Sequence, residues 1–135
     1  MRKWLGLVGL VAALSSGLVS GLVLAQIDLS DFDDDSMRDM DDANKDLGPV
    51  LGAGNAEIAL ADLDVLRKTL LQTQDYFEKK GGTDDAVKIA RDALALVSTA
   101  EAQIGARNFD GAAATARDIS KNCKSCHDLY KPLTK

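Results

Sequence analysis

The chain has one histidine, two cysteines, two prolines and only 4% aromatic residues among its 135 positions. One histidine gives any imidazole chemistry a single address, His127. Two cysteines are too few for a disulfide-stapled miniprotein, and two prolines exclude a collagen-like chain. Basic charge is short as well. The 16 Lys and Arg stand against 21 Asp and Glu, a formal net charge of -5, which speaks against nucleic acid as a partner. There is no glycine-rich phosphate loop, because Gly52-Ala53-Gly54 lacks the strand-to-helix pattern such a loop requires. No constellation for hydrolytic or group-transfer chemistry stands out, so no enzyme activity is expected. The hydrophobic share of 46% excludes a fully disordered chain and leaves a compact, Ala- and Leu-rich helical domain.

Arg2 and Lys3 precede a run of 20 residues, Leu5 to Leu24, that carries no charge. That length just spans a bilayer, so its flanks must decide its role. The start is basic, Val23-Leu24-Ala25 suits cleavage, and the following segment is acidic rather than rich in Lys and Arg. The pattern predicts a cleaved signal peptide over residues 1–25 and a mature domain over residues 26–135, beginning at Gln26. A retained N-terminal anchor is the alternative; with cleavage no permanent membrane span is expected. Cleavage removes the single tryptophan, Trp4, and two positive charges, so that 14 basic against 21 acidic residues give the mature chain -7. Export also places Cys123 and Cys126 in an oxidising compartment, where two nearby bare thiols need an explanation.

Four helices are predicted in the mature chain. Nine aspartates crowd residues 28–46, but the ligand order of a calcium loop is missing. Acids at Asp33 to Asp35 instead suit the positive start of a helix. Met37, Met40, Asn44, Leu47 and Leu51 then form its apolar stripe, with Ala43 and Val50 beside it. Asn55 is expected to cap a second helix whose inward stripe runs Ala59, Leu63, Leu66, Leu70, Thr73 and Phe77, widened by Ile58, Val65 and Leu71. Gly81-Gly82 breaks the chain, and Thr83 or Asp84 starts a third helix carrying Val87, Ala90, Leu94, Val97 and Ile104. Asp110 is expected to cap the last helix, along which Ala113, Ala116, Ile119, Cys123, Cys126 and Tyr130 share a side; Pro132 marks its end. Four such amphipathic helices hide their stripes only by packing together, so the fold class is all-α, an antiparallel four-helix bundle. The last helix has a stripe of small side chains, Ala112, Ala113, Ala114 and Ala116, which suggests room for something flat and apolar beside it.

Cys123-Lys124-Ser125-Cys126-His127 is the strongest feature in the chain and is the attachment pattern of c-type haem. Two thiols at this separation suit thioether links to the two haem vinyl groups, and the adjacent imidazole reaches the iron from the same side. Covalent attachment also explains why both cysteines persist after export. A thioredoxin-like pair would instead sit at the start of a helix after a strand, and zinc would need a fourth ligand that is not evident. A plain disulfide leaves His127 without a role.

The arrangement resembles the class II cytochrome c family, cytochromes c prime and their low-spin relatives, over residues 33–131. The Cys-Lys-Ser-Cys-His-Asp-Leu-Tyr segment is the most specific part of the likeness. The resemblance implies a periplasmic four-helix bundle with one covalent haem c on the C-terminal helix. It further implies His127 as proximal iron ligand and Tyr130 as a haem-side residue. Family members commonly carry arginine after that tyrosine; Lys131 stands here, a point charge in place of a bidentate fork for any propionate contact.

The other iron face separates two functions. Low-spin relatives place a first-helix methionine there, and matching helix length back from the Gly52–Gly54 turn puts Met37 nearest that position, with Met40 as the fallback. Both methionines also suit plain core packing. A methionine ligand implies an electron carrier; a five-coordinate iron implies a binder of NO or CO. A haem-free helical-bundle interaction protein is the third alternative. The acidic first helix favours a redox partner protein with a basic docking patch, and a homodimer remains open.

Overall fold

The computed structural model describes residues 28–130, which form four helices and contain no strand. The expected leader over residues 1–25, the start at Gln26, and Lys131 and Pro132 lie outside them. Helix α1 runs Asp34–Gly52, α2 Ala56–Lys80, α3 Asp84–Gly105 and α4 Phe109–Tyr130. Each helix packs on two neighbours: α1 on α2 and α4, and α3 on α2 and α4. No helix among the described residues is long and apolar enough to cross a membrane.

Polar contacts between helices fix their directions. Arg67 of α2 reaches Ser98 and Glu101 of α3, while Arg91 near the start of α3 reaches Glu78 near the end of α2. Thr115 donates to Gln103 at one end of the α3–α4 pair, and Tyr130 donates to Asp85 at the other. Ser120 of α4 donates to Asn44 of α1. Thr69, past the middle of α2, donates to the Ser36 carbonyl near the start of α1 across the short turn 53–55, so successive helices alternate in direction and the expected four-helix architecture is present.

Local chemistry sets the helix ends. The Asp33 carboxylate caps α1 by accepting from the Asp35 amide at 3.1 Å, at the acidic start expected for that helix, and Asn55 accepts from the Ile58 amide at 3.2 Å as expected. Gly81 adopts φ 71 and ψ 157, a region open only to glycine, which turns the chain between α2 and α3. Thr83 precedes α3 without capping it; its buried hydroxyl donates to the Phe77 carbonyl at 2.8 Å. The cap of α4 departs from expectation. Asn108, not Asp110, accepts from the Gly111 amide at 2.9 Å, because α4 already begins at Phe109 and leaves Asp110 inside the first turn.

The main core joins Leu47 and Leu51 of α1, Leu63 and Leu66 of α2, Val97 and Ile104 of α3, and Ala112, Ala116 and Ile119 of α4. Each such fully buried leucine contributes roughly 2 kcal/mol of hydrophobic stabilisation. Two expectations fail here. Ile58 and Leu71 are 46% and 51% exposed, because α2 packs chiefly against α1 and α3 and its buried face is taken by Ala59, Leu63, Leu66, Thr69, Leu70, Thr73 and Phe77. The alanines of α4 leave no gap either: Ala112 and Ala116 are buried in the main core, so the small side chains admit neighbouring helices closely. Space opens at the opposite end of α4.

Candidate functional site

Cys123, Cys126 and His127 occupy the last turns of α4, where separations of 3 and 4 residues put them on one side of the helix. They line a single cleft with Tyr130 of the same helix. Met37 and Met40 form its α1 wall, Leu70, Thr73 and Phe77 its α2 wall, and Ile89 and Ala90 its α3 wall. The cleft holds about 610 Å³ of free space, part of it open to solvent, and its lining is almost wholly apolar. At the other end Leu47, Leu51, Leu63, Leu66 and Ile119 are fully buried, whereas the cleft wall includes the small Thr73 and Ala90 among its larger residues.

The two candidate thioethers differ in height. The Ser120–Asn44 hydrogen bond, 3.1 Å, pins α4 to α1 at one level. Seven residues on from Ser120 is His127, and seven back from Asn44 is Met37. In an antiparallel pair rising about 1.5 Å per residue, these two stand at the same height. Met40 falls about 4.5 Å short of that level, between the heights of the two cysteines. Met40 is also the more buried, 5% exposed within the main core, whereas Met37 is half-buried at its edge.

Both thiols are free, and burial pushes both up from their ordinary range. Cys126 rises to about 11, with the neighbouring Cys123 adding to the effect of burial. Such thiols stay protonated at neutral pH, the opposite of what a redox-active thioredoxin-like pair requires. Among the described residues, no group of three or more His, Cys, Asp or Glu is placed to hold a bare metal ion, which disfavours zinc. The set fits haem c better in its donors: two thiols for thioether links, one imidazole, a thioether across the cleft, and apolar walls for a flat macrocycle.

Tyr130 packs and hydrogen bonds at once. Its ring lies 5.0 Å from that of Phe77, and its hydroxyl donates to Asp85 in the first turn of α3. Burial, then that bond, pushes Tyr130 up to about 12, while the donated hydrogen holds Asp85 below the usual carboxylate range. Lys131 lies outside the described residues.

Several lining residues were not foreseen from sequence. Leu29 and Phe32 precede α1, and Asn122 adjoins Cys123. Phe32 followed by the Asp33 cap has the form of a residue that staples a helix start, a signal that was available. Asp85 meets Tyr130 across 45 positions, a pairing that no local pattern reveals. Comparison of the chain with protein-family models, with curated proteins and with solved structures finds no match in any of the three.

Proposed function

We propose that this chain is a periplasmic monohaem c-type cytochrome of the class II kind, a carrier of single electrons with no turnover chemistry of its own. One observation carries the reading: Cys123, Cys126 and His127 of α4 line the same apolar cleft as Met37 and Met40 of α1. Cys123 and Cys126 hold one haem c per chain through thioethers, with His127 as proximal and Met37 as distal iron ligand. When bound, the haem supplies a one-electron iron couple. The chain's part is to enclose it: Leu70, Phe77 and Ile89 exclude water, and the thioether favours the ferrous state. Tyr130 ties the end of α4 to α3 close beside His127.

The test is direct. Expressed in a maturation-competent host, the protein should give a pyridine haemochrome spectrum of a c-type haem and the mass of a chain beginning at Gln26 plus one haem. Cys123→Ala and Cys126→Ala should each lose one thioether. Absence of covalent haem under those conditions rejects the reading in favour of a haem-free helical-bundle interaction protein.

The exposed carboxylates of Asp34, Asp35, Asp39, Asp41, Asp42 and Asp46 on α1, answered on that helix only by Arg38 and Lys45, support docking of a basic redox partner. Raising salt should lower the bimolecular electron-transfer rate with such a partner. The burial of Met40 in the main core supports a second reading, in which the methionines only pack and the iron face opposite His127 binds NO or CO.

A further inference from the structure

The segment before α1 forms part of the cleft wall. Phe32 and Leu29 form a turn, the Phe32 amide donating to the Leu29 carbonyl at 3.1 Å, and both side chains line the cleft. Leu29 packs against the cluster of Phe77, Ala86 and Val87, so the segment spans from α2 to α3. Phe32 meets Tyr76 edge-on at 4.9 Å. Between the two apolar residues, Asp31 is held from α2 by two donors: the Tyr76 hydroxyl at 2.6 Å and the Lys80 ammonium at 3.0 Å. The Tyr76 hydroxyl also lies 3.3 Å from the Asp28 carbonyl, and Lys80 donates to that hydroxyl at 2.8 Å. A short chain segment with no helix of its own is thus fastened by one compact polar cluster on the outside of the bundle.

We infer that Leu29 and Phe32, held in place by Asp31, form the wall that decides how readily small external ligands reach the Met37 side of the cleft. This rests on the haem reading above and names the gating residues of that same site. The reason is physical. Helix α1 begins two positions after Phe32 and carries Met37 in its first turn, so the segment and the α1 wall are continuous along the chain. The wall is apolar on its inner side and admits small neutral ligands such as CO. Its seating depends on polar contacts at a solvent-exposed carboxylate, which are the kind that open locally without unfolding the bundle. Lys80 is mostly covered, whereas Asp31 is 69% exposed, so loss of the aspartate removes the fastening without cutting into the core.

The experiment uses the haem-loaded protein in wild-type and Met37→Ala backgrounds, each with and without Asp31→Ala, Tyr76→Phe or Phe32→Ala. Intact mass first establishes that haem is attached. Hydrogen exchange of the 28–33 amides then reports seating of the segment, and flash photolysis reports CO association with the ferrous protein. Asp31→Ala and Tyr76→Phe should both speed exchange in that segment and raise the CO rate. The expected factor is roughly three- to tenfold within one background, the range of one ordinary solvent-exposed hydrogen bond in an opening equilibrium. Phe32→Ala should raise the CO rate without requiring loss of the Asp31 contacts. Haem attached, exchange faster, and CO rates unchanged would overturn the gating role while leaving the cytochrome reading intact. Haem absent from the wild type would overturn both.

Discussion

Met37→Ala and Met40→Ala should separate ligation from packing. Met37 stands level with His127 when α1 and α4 are aligned on the Asn44–Ser120 hydrogen bond, whereas Met40 sits about three residues, or ~4.5 Å, off that level. Met40 is buried in the main core, and its truncation should cost about 2–4 kcal/mol, as for other buried large-to-small changes. In a domain of this size that is a fall in Tm of roughly 10–20 °C. Met37 is half-buried, so its truncation should cost about 1 kcal/mol through packing. The spectroscopic outcomes should run the other way. Met37→Ala should lose the thioether field, shift the iron to high spin, lower the reduction potential and admit CO; Met40→Ala should stay low-spin. Absorption, magnetic circular dichroism, EPR and calorimetry on the three proteins read both axes. If only Met40→Ala lost the low-spin signal, the helix-register reasoning would be refuted. A high-spin wild type that binds CO rapidly would remove both methionines from the iron and favour the gas-binding reading.

Further outcomes follow from the caps and the titrating groups. Asn108→Ala should lower stability by about 1 kcal/mol in urea unfolding, while Asp110→Ala should change it little, because only Asn108 accepts from the Gly111 amide. Gly111→Ala should carry a similar cost, since an added methyl would run into the Asn108 side chain and displace the cap. Asp62 has one carboxylate oxygen buried without a partner, and burial, with Asp46 nearby, raises its pKa. A raised acid favours the folded state below its unfolded value and loses that benefit as pH rises through the folded one. Asp62→Asn should therefore raise the urea midpoint at pH 7 and flatten its decline as pH rises above the ordinary carboxylate value, and an unchanged midpoint would count against this burial penalty. Tyr130→Phe should be less stable than wild type at pH 7 by a few tenths of a kcal/mol. On the acid side, the lowered pKa of Asp85 means that its contribution stands above the ordinary carboxylate value and fades as pH falls through the folded one. On the alkaline side, the raised pKa of Tyr130 makes the difference fade between its ordinary value of 10.0 and about 12. A gap that stayed constant across both ranges would rule out the Tyr130–Asp85 bond as its source.

Sequence alone determined the four helices, because their apolar stripes, the acidic start at Asp33 to Asp35, the Asn55 cap and the glycine breaks are local signals of 3.6-residue periodicity and end chemistry. It also determined that Cys123, Cys126 and His127 share one side, since they lie within five positions and need only one helix to bring them together. It misplaced the α4 cap by two residues, because Asn108 and Asp110 are equally good capping side chains and only the start of the helix chooses between them. What the tertiary structure decided is where long-range neighbours meet. The alanine stripe of α4 reads as empty space in one dimension, yet small side chains let helices close up, and the cleft opened at the other end. The level of Met37 against His127 depends on how α1 slides along α4, which packing of Leu47, Leu51 and Ile119 and the Asn44–Ser120 bond set together. Leu29 and Phe32 belong to a segment with no periodicity of its own, and its place in the cleft wall depends on Tyr76 and Lys80, more than 40 residues away.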